Sequence, residues 1–260
     1  MRVQTTDKVL AVLRLFSEEE PRWSVEEAAE RLGVPASTAY RYFRSLASAG
    51  LIVAFSAGRY VIGPGVIELD RMARRTDPLL LASQSAVDAL SARAPADQVI
   101  LLSRLYRRQV MCVYNQRQGC RNLDVSYERG RPMPLYKGSV SKVILANLSS
   151  RTLARILADD REMIAAAGLP TDPAQFRAEL RAIRKAGHYV SHGEVDSGVV
   201  GISAPIVSPE EEALASLSLV LPDTPENTKN VQEFVGLVIE SARAITIAFR
   251  QSLGSREVTG

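Results

Sequence analysis

The sequence predicts an α+β chain in two parts, a winged helix–turn–helix followed by a larger domain of mixed strands and helices. Three observations carry that expectation. An amphipathic helix, a capped helix, a Gly–Pro turn, a third helix and a short hairpin follow one another up to Ile62. The stretch from Arg31 to Ile67 holds four arginines and not one Asp or Glu. A surface that meets a polyanion must keep carboxylates away, since each repels phosphate as surely as an arginine attracts it. From Asp77 onward, β-prone runs alternate with helical stretches at connection lengths that suit antiparallel pairing.

Between Thr6 and Glu18, apolar Val9, Leu10, Val12, Leu13 and Phe16 recur at helical spacing. Ser24 with Glu27 is a capping-box signature for a second helix, with Ala28, Ala29 and Leu32 inward and Gly33 as its stop. Pro35 opens a third helix, on which Ala39, Phe43, Leu46 and Ala47 form one apolar stripe and Gly50 marks the end. Runs beginning at Leu51 and at Arg59, joined through Ser56, Ala57 and Gly58, read as a hairpin. Gly63, Pro64 and Gly65 interrupt the pattern, and Val66 to Arg75 reads as a short charged linker helix.

In the second part the spacing predicts helices over 77–93, 139–148, 150–158 and 173–186. Strands are expected over 98–106, 109–115, 121–126, 188–192, 199–206 and 214–221. A long amphipathic helix over 226–252 closes the pattern, with Val231, Phe234, Val235, Val238, Ala242, Ile245 and Phe249 inward.

Bulk properties narrow the function classes. A chain of 260 residues can build its cores without staples, and its two cysteines, Cys112 and Cys120, are too few for a disulfide scaffold and too far apart for a zinc site. The net charge of +3 is modest, so the placement of charge matters more than its sum. Neither a signal-like run nor a membrane-length apolar window is visible, which gives a cytoplasmic, soluble expectation with no membrane partner. A phosphate loop, a nucleotide fingerprint and a Ser/His/Asp set are all missing from the pattern, so no catalysis and no cofactor are expected.

On these residues the chain resembles the IclR family of bacterial transcriptional regulators over nearly its whole length. Val25–Leu46 is similar to the family's helix–turn–helix, with Ser37, Thr38 and Arg41 at its characteristic positions, and Arg59–Gly63 to the wing strand. Leu135–Lys142 with Leu145–Leu148 resembles the segment that opens the effector-pocket helix. Gly187–Val190, Glu194, Gly198 and Ile202–Ile206 resemble the second half of the effector domain. The resemblance implies a GAF-like effector domain, a dimer joined through DNA-binding domains and linker helices, and in many members a dimer of dimers. It implies small organic acids, aromatic ones among them, as effectors. The expected partition is a winged helix–turn–helix over 1–63, a linker helix over 64–76, a GAF-like effector domain over 77–253 and a flexible tail over 254–260. The chain departs from the family where Ser139 and Ser141 stand at positions usually glycine, Ser191 at one acidic in some members, and Gly201 at one that some fill with cysteine.

Candidate DNA contacts are Ser37, Thr38, Tyr40, Arg41, Arg44 and Arg59. Ser37 and Thr38 sit where a helix N-terminus favours phosphate, and Arg41 and Arg44 share a face from which a guanidinium can read guanine. Arg41 is the preferred base reader. Arg59 at the wing tip is either a minor-groove or phosphate contact or a plain hairpin charge. Tyr40 and Tyr42 can each donate to phosphate, but at least one is expected inside the small core. The candidate effector site is Gly138, Ser139, Val140, Ser141, Ser191, Gly201, Ser203, Ser218 and Val220, with Leu102 and Val220 as apolar wall. There the N–H groups opening a helix would hold a carboxylate, unless the serines merely cap and fill. Lys142 is either an ion-pair partner or a ligand contact. His188 and His192 lack companions for a metal, and the cysteines read as buried rather than as a redox switch. The leading function is ligand-responsive operator binding. The alternatives are a small-molecule enzyme or sensor fused to a DNA-binding domain, and an effector-independent DNA-binding protein.

Overall fold

The structure is a computed structural model that describes residues 5–119, 123–207 and 213–257. It separates into two compact units, Met1–Asp77 and Pro78–Gly260.

The first unit contains α1 (Thr5–Leu13), β1 (Trp23–Ser24), α2 (Val25–Leu32), α3 (Ala36–Ser48), β2 (Ile52–Ala54), β3 (Arg59–Ile62) and α4 (Gly65–Thr76). The capping box forms as expected: Glu27 N–H donates to Ser24 Oγ at 3.2 Å, and Ser24 N–H to Glu27 Oε2 at 2.9 Å. Ala28, Ala29 and Ala39 let α2 and α3 approach closely around Phe43, which meets the Tyr60 ring edge-on at 5.0 Å. Helix α1 stops earlier than its periodicity predicts. The Leu15 and Glu20 carbonyls turn away to accept the Trp23 indole N–H at 2.9 and 3.1 Å. Leu10, one of the apolar residues of that pattern, is 51% exposed. The wing is a three-stranded antiparallel sheet in the order β1-β3-β2. Its third strand, β1, is only two residues long, too short to leave a periodic signal. A Cβ on Gly63 would lie 2.3 Å from the Gly50 carbonyl oxygen, so the chain can pass there only as glycine.

The second unit runs α5 (Pro78–Arg93), β4 (Gln98–Tyr106), β5 (Gln109–Gln118), β6 (Pro132–Pro134), α6 (Ser139–Ala146), α7 (Ser150–Asp159), α8 (Arg161–Ala166), α9 (Pro173–Ala186), β7 (Tyr189–His192), β8 (Val199–Val207), β9 (Ala213–Pro222), α10 (Pro225–Lys229) and α11 (Val231–Glu257). The strands form one antiparallel sheet in the order β6-β5-β4-β9-β8-β7. Alternation along β4 sends Val99 and Leu101 into a core with α6 to α9, and Ile100 and Leu102 into another with α5 and α11. Every residue of α6 is buried.

Three expectations change. Positions 123–126 form no strand, residues 121 and 122 lie outside the described residues, and the edge strand is β6 instead. The closing helix is two helices. Thr224 caps α10, which ends at Asn230, and α11 starts afresh at Val231. Leu102 cannot wall the serine site, because the pleat turns it to the opposite face of the sheet, among α5 and α11.

Candidate functional site

The first candidate surface is the solvent side of α3. Ser37, Tyr40, Arg41 and Arg44 are exposed and Thr38 is half-buried, while Ala39, Tyr42, Phe43 and Leu46 fill the core. The two tyrosines therefore divide: Tyr40 is 57% exposed and Tyr42 packs inside. No side chain caps the start of α3; the Thr38 N–H donates to the Pro35 carbonyl at 2.9 Å, and among the described residues nothing accepts from the Ala36 and Ser37 N–H groups, which face an anion's place. Among the described residues, Arg41 and Arg44 make no ion pair, which leaves both guanidiniums free for phosphate or base edges.

Arg59 behaves differently from the expectation. It is the first residue of β3 and not the wing tip, which is formed by Ser56, Ala57 and Gly58. Its guanidinium contacts Glu27 Oε1 at 2.5 Å and the Arg22 carbonyl at 3.4 Å, tying the wing to α2. The Ser24 N–H, with the Arg59 charge beside it, holds the Glu27 carboxyl below its ordinary range. Glu27 thus serves both the helix cap and the wing. Sequence reading assigned it only the first role, because register between β1 and β3 is what brings Arg59 to it.

The second candidate site lies at the start of α6. Gly138, Ser139, Val140, Ser191, Gly201 and Val220 surround a cavity of about 30 Å³, joined by Tyr127, Glu194 and Asp196. That volume is about one water. Ser203 and Ser218 sit behind it: Ser203 Oγ lies 2.9 Å from Ser139 Oγ and 2.7 Å from Ser218 Oγ. Ser141 is turned away, with its hydroxyl on the Pro134 carbonyl at 2.7 Å and 2.8 Å from the Tyr127 hydroxyl. Burial pushes the Tyr127 phenol up to about 12, so it stays a neutral donor. Gly201 has no room for a side chain, since a Cβ there would stand 2.6 Å from Ser139 Oγ.

The anion place at this helix start is already filled. Gly138 N–H donates to Glu194 Oε2 at 3.0 Å, and Ser139 N–H to Ser191 Oγ at 3.2 Å. Glu194 also holds Lys142 Nζ at 2.9 Å and accepts from the Tyr189 hydroxyl at 2.9 Å. Of the two readings of Lys142, the structure displays the ion pair. Burial pushes the Glu194 carboxyl up, but the Lys142 ammonium and the Gly138 N–H outweigh it and hold the group below 4.5. Burial likewise works against the Lys142 charge, and the Glu194 and Tyr189 hydrogen bonds overcome it, raising that group above 10.5. Among the described residues nothing accepts from the Val140 and Ser141 N–H groups. Sequence reading did not give Glu194 or Tyr127 a role here; neither lies within helical or strand spacing of Ser139.

The remaining candidates lie apart. His188 Nδ1 is 3.0 Å from the Ala186 carbonyl, and His192 Nδ1 is 3.2 Å from Asp223 Oδ2, so the two rings serve separate partners. Cys112 is buried, and desolvation pushes its thiol up to about 11, leaving it unreactive. Cys120 lies outside the described residues. No described helix is long and apolar enough to cross a membrane.

The fold and these two sites define a winged helix–turn–helix protein carrying an α+β domain with a polar cavity at a helix start. The sequence profile described as the IclR helix–turn–helix domain matches residues 5–54, and that of the bacterial transcriptional regulator IclR C-terminal region matches residues 75–247. The chain belongs to the IclR family of bacterial transcriptional regulators, which bind DNA. It is 25% identical over 218 residues to the HTH-type transcriptional regulator KipR of Bacillus subtilis, covering 83% of this chain and 85% of that one. A crystal structure of an IclR regulator from Alicyclobacillus acidocaldarius superposes with a TM-score of 0.76 at 23% identity, covering 96% of this chain and 100% of that one. An IclR homologue from Microbacterium hydrocarbonoxydans, solved with 4-hydroxybenzoate, superposes at 0.72 with 21% identity, covering 95% and 100%. At those identities the two structures establish the fold.

Proposed function

We propose that this chain is a cytoplasmic, non-catalytic regulator of a catabolic operon, acting as repressor or activator, whose binding to a double-stranded DNA operator responds to a small organic acid. The observation that carries the DNA part is the open side of α3, where Arg41 and Arg44 stand unpaired within a stretch free of carboxylates. Helix α3 enters the major groove, Ser37, Thr38 and Tyr40 engage phosphates, Arg41 reads a base and Arg44 supports it. Arg59 braces the wing through Glu27 rather than reaching for the groove.

The effector reading rests on the serine-lined cavity and the free N–H groups of Val140 and Ser141. A 4-hydroxybenzoate complex of a relative of similar fold favours aromatic acids as the first to try. A carboxylate can enter only if Glu194 yields its place at the start of α6. The segment carrying Glu194 is bracketed by Gly193 and Gly198, at φ +60° and +71°, where the backbone can turn without a Cβ penalty. A homodimer is favoured by α4, which buries no residue and exposes Ile67 at 73% and Leu69 at 51%. Two such dimers can pair as a dimer of dimers.

Mobility shifts on the intergenic DNA beside the gene test the first part. Arg41→Ala should cost about 1–3 kcal/mol on the operator and relax specificity at one base pair. Equal weakening on all sequences would make Arg41 a phosphate contact and sink the assignment. Calorimetry with 4-hydroxybenzoate and other small acids tests the second part. Binding of a neutral sugar and of no carboxylic acid would overturn it.

A further inference from the structure

The serine-lined cavity is not the only one in this unit, and with Glu194 at the start of α6 it is not sized for a small molecule. A cleft of about 530 Å³ opens beside the two-residue turn that joins β4 to β5. Cavities of roughly 300–1,000 Å³ hold small organic molecules, whereas the site at α6 admits about one water. The cleft's apolar walls are Leu135, Met163, Ala166 and Ala167, and its other lining includes Arg107 and Lys137.

The charges there are divided between committed and free. Arg108 pairs with Asp159 at 2.8 Å and with Asp160 at 2.7 Å, and the Tyr136 hydroxyl donates to Asp160. Those acids are therefore satisfied. Arg107 and Lys137 have no carboxylate partner among the described residues, and the Arg107 guanidinium lies over the Tyr106 ring, 5.0 Å from its centre. The backbone is also unusual. Arg107 and Arg108 both have positive φ, +49° and +65°, in a turn that favours Asn and Gly. Arginine is a strained choice at both positions, and its effect is to set two guanidiniums beside an apolar cleft.

We propose that this cleft is a second ligand site, for an amphipathic carboxylate whose apolar chain lies on Leu135, Met163, Ala166 and Ala167 and whose head pairs with Arg107 and Lys137. It is separate from the effector cavity, although residues 134–138 wall both: Pro134 to Lys137 face the cleft, and Gly138 the cavity.

The probe is decanoate, titrated into the full chain by calorimetry, with decanol as its neutral counterpart and methyl NMR to locate it. Decanoate should saturate at one per chain, perturb the Met163 and Ala166 methyls, and bind about tenfold tighter than decanol, the worth of a charge-assisted pair. Ala166→Trp fills the cleft from an exposed position and should abolish binding. Arg107→Gly removes the charge while relieving the positive φ, so its loss of affinity should come with an unchanged or raised melting temperature. Equal affinity for decanoate and decanol, full affinity in both variants, or perturbation confined to the methyls around Val140 and Val220 would each overturn the proposal. So would a cleft that excludes decanoate while Ala166→Trp shifts the oligomeric state, since the surface would then be a contact between copies of the chain.

Discussion

Between Ser139 and Ser191 the space at position 201 is so small that an added methyl would stand 2.6 Å from one hydroxyl oxygen and 3.2 Å from the other. Gly201→Ala must therefore displace Ser139 and break its 2.9 Å contact with Ser203. We expect a loss of about 1–3 kcal/mol in urea unfolding, the usual cost of overpacking a tight core. Glu194 makes the neighbouring prediction. Its pair with Lys142 is largely desolvated, the two side chains being 24% and 8% exposed. Because the folded carboxyl titrates below 4.5, its contribution is complete above that pH and disappears as pH falls through the folded value. The Lys142 contribution has the opposite sense, present below 10.5 and lost as pH rises through its raised folded value. Neutral pH therefore has both. Glu194→Gln should cost about 2–3 kcal/mol at neutral pH, less than for a fully buried pair because Glu194 keeps some solvent. It should also narrow the difference in urea midpoint between about pH 7 and about pH 4.

The wing turn and the linker helix each make a claim as units. Ala57 and Gly58 carry φ of +48° and +72°, the pairing that a tight two-residue hairpin turn requires. Alanine is strained there, so Ala57→Gly should stabilise the first unit by about 0.5–1 kcal/mol, once the entropy of glycine offsets part of the relief. A higher thermal midpoint checks it. Helix α4 has apolar residues and no core to bury them in, with Ile67 73% and Met72 45% exposed. If it is the dimer contact, Ile67→Asp with Met72→Asp should yield monomers by light scattering, and the unfolding of the second unit should not change. Most elements were legible because caps and periodicity act over a few residues: Ser24 with Glu27, Gly33, Pro35 and Gly187 all mark the ends the structure displays. Strands β1 and β6 were not, being two and three residues long and held only by their partners. The early stop of α1 was hidden for the same reason, since it is Trp23 that takes the carbonyl of Leu15.

Over the whole chain, charge and layering decide what each unit can do. On the proposed operator binding, the acid-free stretch predicts salt-dependent affinity, and if Arg44 supports Arg41 by pairing with a phosphate, its replacement by alanine should lower the slope of log affinity against log salt by about 1. In the second unit the sheet is covered on both faces, so β4, β8 and β9 read as nearly continuous apolar runs. Such runs name strands without saying which residues face which layer, and Leu102 was misplaced for that reason. Most of the longer helices and strands, the acid-free side of α3 and the family could be read from residues close together in the chain, because capping, periodicity and charge segregation are local properties. Who occupies the start of α6 could not. The Ser139–Ser191, Gly138–Glu194 and Ser139–Ser203 contacts span 52, 56 and 64 residues. Folding alone brings them together, and it sets the protein's own Glu194 carboxylate where a ligand's was expected, because a buried helix N-terminus and a buried lysine both demand an anion.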